Sequence, residues 1–147
     1  MEALCIDFLN SDWRDWNGSG RGRQNRLDNP EWLEAFLEKW QLEAPLPLEE
    51  PIRTQLMELR GRMRLMVEEV EKGKEIAAEE LAELNRVMAL APSSPFLVVA
   101  EGAYVLRQRS SVSGWDLIMA RIAASFADLL ASHDLRRIKI CANPDCQ

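Results

Sequence analysis

The sequence predicts a mainly α-helical, multi-helix domain carrying one small β-hairpin at about residues 96–109. Three observations carry this expectation. Apolar residues recur at steps of three and four over most of the chain, the period of one helix face. Around residue 96 that period gives way to a β-branched and aromatic stretch. Prolines and glycines gather between the periodic stretches and punctuate them.

The elements follow in order. Residues 3–10 (ALCIDFLN) form a short apolar opening that fits a helix or a strand, because periodicity does not decide at this length. Residues 11–28 read as irregular, with Gly18, Gly20 and Gly22 among Arg14, Arg21, Arg23 and Arg26. A helix then starts at Asn29-Pro30-Glu31. Asn29 can accept from the free N–H groups, Pro30 needs no partner in the first turn, and Glu31 complements the positive end of the dipole. Trp32, Leu33, Phe36, Leu37 and Trp40 make its apolar stripe, and the proline-rich APLPLEEP (44–51) stops it.

A long helix is expected from about Glu49 to Lys72, with Ile52, Leu56, Leu59, Met63, Met66 and Val70 on its inner face and Gly73 at its end. A third helix covers about 78–90, turning Leu81, Leu84 and Met88 inward, and Pro92 and Pro95 close it. The stretch 96–109 folds into two strands about Glu101-Gly102, where Gly102 supplies the positive φ of a tight turn. A last helix runs from about Gly114 to Ser132, with Trp115, Ile118, Ile122, Phe126, Leu129 and Leu130 inward. Leu135, Ile138 and Ile140 then alternate with basic residues in a short extended piece. The chain shows no internal repeat.

Composition excludes several classes. With 147 residues, 47% hydrophobic and 29% charged, the chain suits one globular core and not a disordered segment. No apolar run approaches the roughly 20 residues that span a bilayer, and MEALCIDFLN lacks the basic region and cleavage site of a signal peptide. The cytoplasm is therefore the expected location, and no membrane partner is expected. The odd set Cys5, Cys141 and Cys146 makes a poor disulfide framework. A formal net charge of −6 disfavours the segment as a whole as a non-specific nucleic-acid binder.

Catalytic signals are lacking. The single histidine, His133, falls at the end of the last helix, where it reads as a complement to the negative end of the dipole. Ser110, Ser111 and Ser113 sit in no nucleophile elbow, and neither a metalloprotease nor a phosphate-loop motif is present. Acid pairs such as Glu49/Glu50 and Glu79/Glu80 sit at helix starts, which the dipole explains. The expectation is a protein that is not an enzyme.

Two places hold other chemistry. Cys141 and Cys146, separated by Ala-Asn-Pro-Asp, can point two thiolates at one ion, and soft ligands in a tight turn suit Zn²⁺. A structural zinc takes four ligands, so this is half a site, and the spacing alone is a weak signal. The second place is the N-terminal part. Arginines among glycines can grip a carboxylate or phosphate, with Trp13 and Trp16 as an aromatic wall, and the same composition also describes a solvated connector. Asp7 and Asn10 need partners if buried, and Arg60 and Arg121 are candidates from the two long helices. These residues read either as a polar network that fixes helix register or as a pocket lining. The candidate ligand set is Asp7, Asn10, Arg14, Arg60 and Arg121.

Taken together, LCIDFLNS followed by DWRD, the NPEWL helix start, LMELRGRMRLM, LNRVMALAP and the tail RIAASFADLLASHDLRRIKICANPDC resemble a known bacterial family. In it a helical domain, often called ABATE, precedes a CGNR zinc finger. The resemblance covers nearly the whole chain. It implies a stress-induced transcription regulator, with a helical sensor domain at 1–138 and the start of a finger at 139–147. It also implies that Cys141 and Cys146 hold zinc in the full-length parent, and that DNA is bound through the finger. The family's second cysteine pair and its Cys-Gly-Asn-Arg signature do not occur before Gln147. The expectation is therefore a truncated finger, no tightly bound zinc and little specific DNA binding by these residues alone. Arg136, Arg137 and Lys139 read either as the beginning of a phosphate-contacting surface or as a solvated basic strand edge. An unknown small ligand and a homodimer complete the expected partners.

Overall fold

The apolar residues of the last helix organise the core. The computed structural model describes residues 3–14 and 23–132, with side chains described for 3–11 and 25–132. Helix α5 (Trp115–Ala131) buries Trp115, Ile118, Met119, Ala120, Ile122, Ala123, Phe126 and Leu129. It packs against α1 (Leu4–Leu9), α3 (Glu50–Glu71) and α4 (Ala78–Met88). Met63 of α3, Cys5 of α1 and Ile122, Ala123 and Phe126 of α5 are wholly buried. Burial of such side chains is the main favourable term, at roughly 1.5–3 kcal/mol for each large one.

The opening segment, undecided from sequence, is helical. Its N-terminal N–H groups need partners, and one finds a long-range acceptor, with Cys5 N donating to Ser125 Oγ at 3.2 Å. Helix α2 (Pro30–Lys39) starts as expected, since Asn29 Oδ1 accepts from the N–H groups of Glu31 and Trp32. Leu33, Phe36 and Leu37 are buried along its stripe, with Trp32 and Trp40 half-buried at its margins. In α3 the inner face is Leu56, Leu59, Met63 and Met66, joined by Val67 and by Arg60, while Ile52 and Val70 are only half-buried. Gly73, at φ +74°, follows this helix in the left-handed region.

Three expectations need correction. In α4 the inward residues are Leu84 and Val87, while Leu81 is exposed, because the helix rotates its stripe toward α5. In α5, Leu130 is half-buried instead of inward, whereas Met119 turns in. The N-terminal stretch is less irregular than its composition suggests. Strands β1 (Asp12–Arg14) and β2 (Arg23–Asn25) pair antiparallel, followed by a 3₁₀ turn over Arg26–Asp28. The fold thus contains two small two-stranded sheets beside its five α-helices among the described residues.

The second sheet is the expected hairpin, somewhat longer at both ends. Strands β3 (Ser93–Ala100) and β4 (Ala103–Ser110) pair antiparallel from Ser93↔Ser110 to Ala100↔Ala103. Glu101 (φ +51°) and Gly102 (φ +78°) both lie in the left-handed region, as a two-residue turn matching strand twist requires.

Candidate ligand site between the first two helices

Helices α1 and α2 leave a cavity of about 280 Å³, lined by Asp7, Asn10, Arg26, Trp32, Phe36 and Lys39, with Ala35 completing the wall. Each lining group arrives for a local reason. Asp7 and Asn10 lie three residues apart at the end of the short α1, so both face the same side. Arg26 opens the 3₁₀ turn, whose start is fixed by Asn25 Oδ1 accepting from Leu27 N at 3.2 Å. Trp32, Phe36 and Lys39 follow one another at helical spacing on α2, and the Trp32 and Phe36 rings stack with centroids 5.0 Å apart.

The charges in this cavity divide into paired and available groups. Asp7 Oδ2 accepts from Trp40 Nε1 at 2.9 Å and pairs with Lys39 Nζ at 2.8 Å. Lys39 also lies 5.4 Å from the centre of the Trp40 ring. Among the described residues Arg26 has neither an ion-pair nor a hydrogen-bond partner for its guanidinium. It presents a planar cation beside the Asn10 amide and the Trp32 ring. A guanidinium and an amide on an aromatic wall can bind a small carboxylate or phosphate in bidentate fashion.

A profile of the ABATE family, described as "putative stress-induced transcription regulator", matches residues 2–133. The chain belongs to the ABATE family. No curated protein matches it. Within this ABATE domain no described helix is long and apolar enough to cross a membrane.

The expected site residues distribute unevenly over the ABATE domain. Asp7 and Asn10 come together at the cavity. Arg60 is not among the residues that line it. It is buried in α3 and donates from Nη1 to Ser11 Oγ at 2.7 Å and to Asn25 Oδ1 at 2.8 Å. Asp7 instead finds its partners in Lys39, at the end of α2, and in Trp40, just beyond it. Arg121 lies on the other flank of α2. There it is exposed on a hollow of about 460 Å³ with Leu37, Glu38, Leu42, Glu43 and Leu117. That hollow is larger, but its acids Glu38 and Glu43 oppose an anion, so the smaller cavity is the better ligand candidate.

Arg26, Trp32 and Lys39 are additions. Sequence reading placed Arg26 in the arginine-glycine stretch and Trp32 in the apolar stripe, and only the packing of α1 on α2 unites them. Arg14 contributes backbone pairing with Arg23, and its side chain lies outside the described residues. Cys141, Cys146, Arg136, Arg137, Lys139 and His133 also lie outside them. Among the described residues no group of three or more His, Cys, Asp and Glu is placed to hold a metal.

Proposed function

We propose that this chain is the ligand-sensing part of a bacterial transcription regulator, with its effector bound between α1 and α2. The single observation that carries this reading is the Arg26 guanidinium, which no described residue neutralises, set beside Asn10 and Trp32 in a preformed cavity of an ABATE domain. The effector is a small anion, a carboxylate or a phosphate, because the available donors are cationic or amide N–H groups. Asp7, a lining residue, ties α1 to Lys39 and Trp40 at the end of α2. Occupancy would therefore change the position of the N-terminal helix relative to the rest of the core.

The output is DNA binding through a zinc finger. In that reading Cys141 and Cys146 supply two of its four ligands, and Arg136, Arg137 and Lys139 lead into its phosphate-contacting surface. A structural zinc takes four ligands, so two cysteines alone bind it weakly. The acidic balance of the chain as a whole suits an input domain that stays off the DNA.

A thermal-shift series with small carboxylates and phosphates tests the sensing role. A specific effector raises the melting temperature with concentration by mass action, and Arg26→Gln removes that rise while leaving the unliganded melt in place. A rise that survives Arg26→Gln, or none across both chemical classes, rejects the site.

A further inference from the structure

The β3–β4 hairpin is the least covered element of the fold, since no residue of either strand is buried. Its two faces differ. On one, Phe96, Val98 and Val105 are half-buried, and Arg109 lies 4.1 Å from the centre of the Phe96 ring. On the other, two directly opposed pairs, Leu97 with Leu106 and Val99 with Tyr104, form a continuous apolar stripe. These four side chains are 64%, 67%, 68% and 79% exposed, in the order Leu97, Leu106, Val99 and Tyr104. A lone two-stranded hairpin is only marginally stable in water and gains stability when its apolar face is covered.

We propose that a second copy of this chain covers the stripe, the two hairpins packing face to face about a two-fold axis with their strands running antiparallel. Area supports this occupant. The stripe offers on the order of 500 Å², near the upper end for the largest apolar patch of a monomer. Packed on its own copy it buries about 1,000 Å² in total, the level a specific interface needs. Charge supports it as well. No charged residue interrupts the stripe, and Arg107 and Arg109 alternate onto the opposite face with Phe96 and Val105. At the base the stripe's face continues with Pro95 opposite Gln108, so antiparallel packing of two copies buries no ionised group and the surface can pair with itself. Val99 and Tyr104 of one copy then lie over Leu97 and Leu106 of the second.

Sedimentation of the full chain under reducing conditions, across a wide concentration series, tests this arrangement. The expected species has twice the mass of one chain. Leu106→Glu buries a carboxylate twice in a symmetric interface and should weaken self-association at least roughly a hundredfold. The helical circular dichroism should not change, because Leu106 lies outside the core. Val99→Glu should weaken the dimer by a similar factor, while Arg109→Glu, on the opposite face, should leave self-association unchanged. A wild-type chain that sediments as a monomer throughout overturns the proposal. So does a monomer that Leu106→Glu destabilises, since the stripe would then be covered by the same chain. A dimer indifferent to Leu106→Glu, or one that Arg109→Glu weakens as strongly, overturns it too.

Discussion

Arg60 meets Ser11 in the interior, its Nη1 donating to Ser11 Oγ at 2.7 Å while both residues are buried. The same nitrogen donates to Asn25 Oδ1 at 2.8 Å, and Ser11 Oγ in turn donates to the Phe8 carbonyl at 2.6 Å. Arg26 N also donates to the Ser11 carbonyl at 2.7 Å. The guanidinium therefore holds together the residues just before β1 and at the end of β2. In doing so it fixes the end of α1 and the turn that carries Arg26.

Arg60→Met should accordingly destabilise the fold by about 2–4 kcal/mol, the range for removing a charged donor from a buried network and leaving its acceptors under-satisfied. The loss is not larger because Ser11 and Asn25 each keep another hydrogen bond, to Phe8 and from Leu27. Denaturant titration of the variant measures it. The Arg26-dependent thermal shift should fall in parallel, since the turn bearing Arg26 loses its anchor. A variant as stable as wild type would show that the network contributes nothing net.

Local chemistry was legible in the sequence, and long-range pairing was not. The start of α2 follows from Asn29-Pro30-Glu31 because capping acts within three residues, and the structure has Asn29 accepting from Glu31 and Trp32. The hairpin follows from Glu101-Gly102 because only a few residues tolerate positive φ. By contrast, Asp12-Trp13-Arg14 and Arg23-Gln24-Asn25 carry no alternating apolar pattern, so their pairing depends on the surrounding fold. Asp7 and Asn10 were identifiable as polar residues in an apolar segment that needed partners. Which cations would face them depended on the packing of α1 against α2 and α3, a tertiary fact that no spacing encodes.

Asp7 supports a second prediction. Its carboxylate is partly shielded and serves both Trp40 Nε1 and Lys39 Nζ. Asp7→Ala leaves the indole N–H without its acceptor and should cost about 1–2 kcal/mol. Asp7→Asn keeps an acceptor for Trp40 and loses the charge pairing with Lys39, so its loss should be smaller. Equal stability of the alanine variant and wild type in chemical denaturation would reject this account of the α1–α2 junction.

Asp28 makes a pH prediction. The bidentate hydrogen bonds from Arg53 hold its carboxyl below the usual aspartate range, against a smaller upward effect of burial. A depressed folded pKa means that the ionised form is favoured by folding. The contribution is complete above the unfolded pKa, near 4, and disappears as pH falls through the lower folded value. Glu83, lowered by hydrogen bonding from Arg86, acts in the same sense. Both carboxylates are solvent-accessible enough for salt to screen them, so the effect is modest. Wild type and Asp28→Asn, compared by urea melts from neutral to acid pH, should differ at neutrality and converge in acid. A constant gap would contradict the sign.

Cys5 gives the last prediction, on access to the core. Its side chain is wholly buried against α5, and burial pushes the thiol pKa up, more than the hydrogen bond to Ser125 pulls it down. A thiolate is the reactive form, so inaccessibility and a raised pKa act together to protect it. In the Cys141→Ser/Cys146→Ser variant Cys5 is the remaining thiol. It should resist a thiol-specific reagent at neutral pH while the fold is intact, and react fully once denaturant is added. Raising the pH should not expose it before unfolding, because access limits the reaction. Because α1 also lines the ligand cavity, the residual reaction rate reports how often that helix detaches from α5. An effector seated on Asn10 and Arg26 should slow it further. Rapid modification of the native chain would mean that α1 is not held against α5 as its packing indicates.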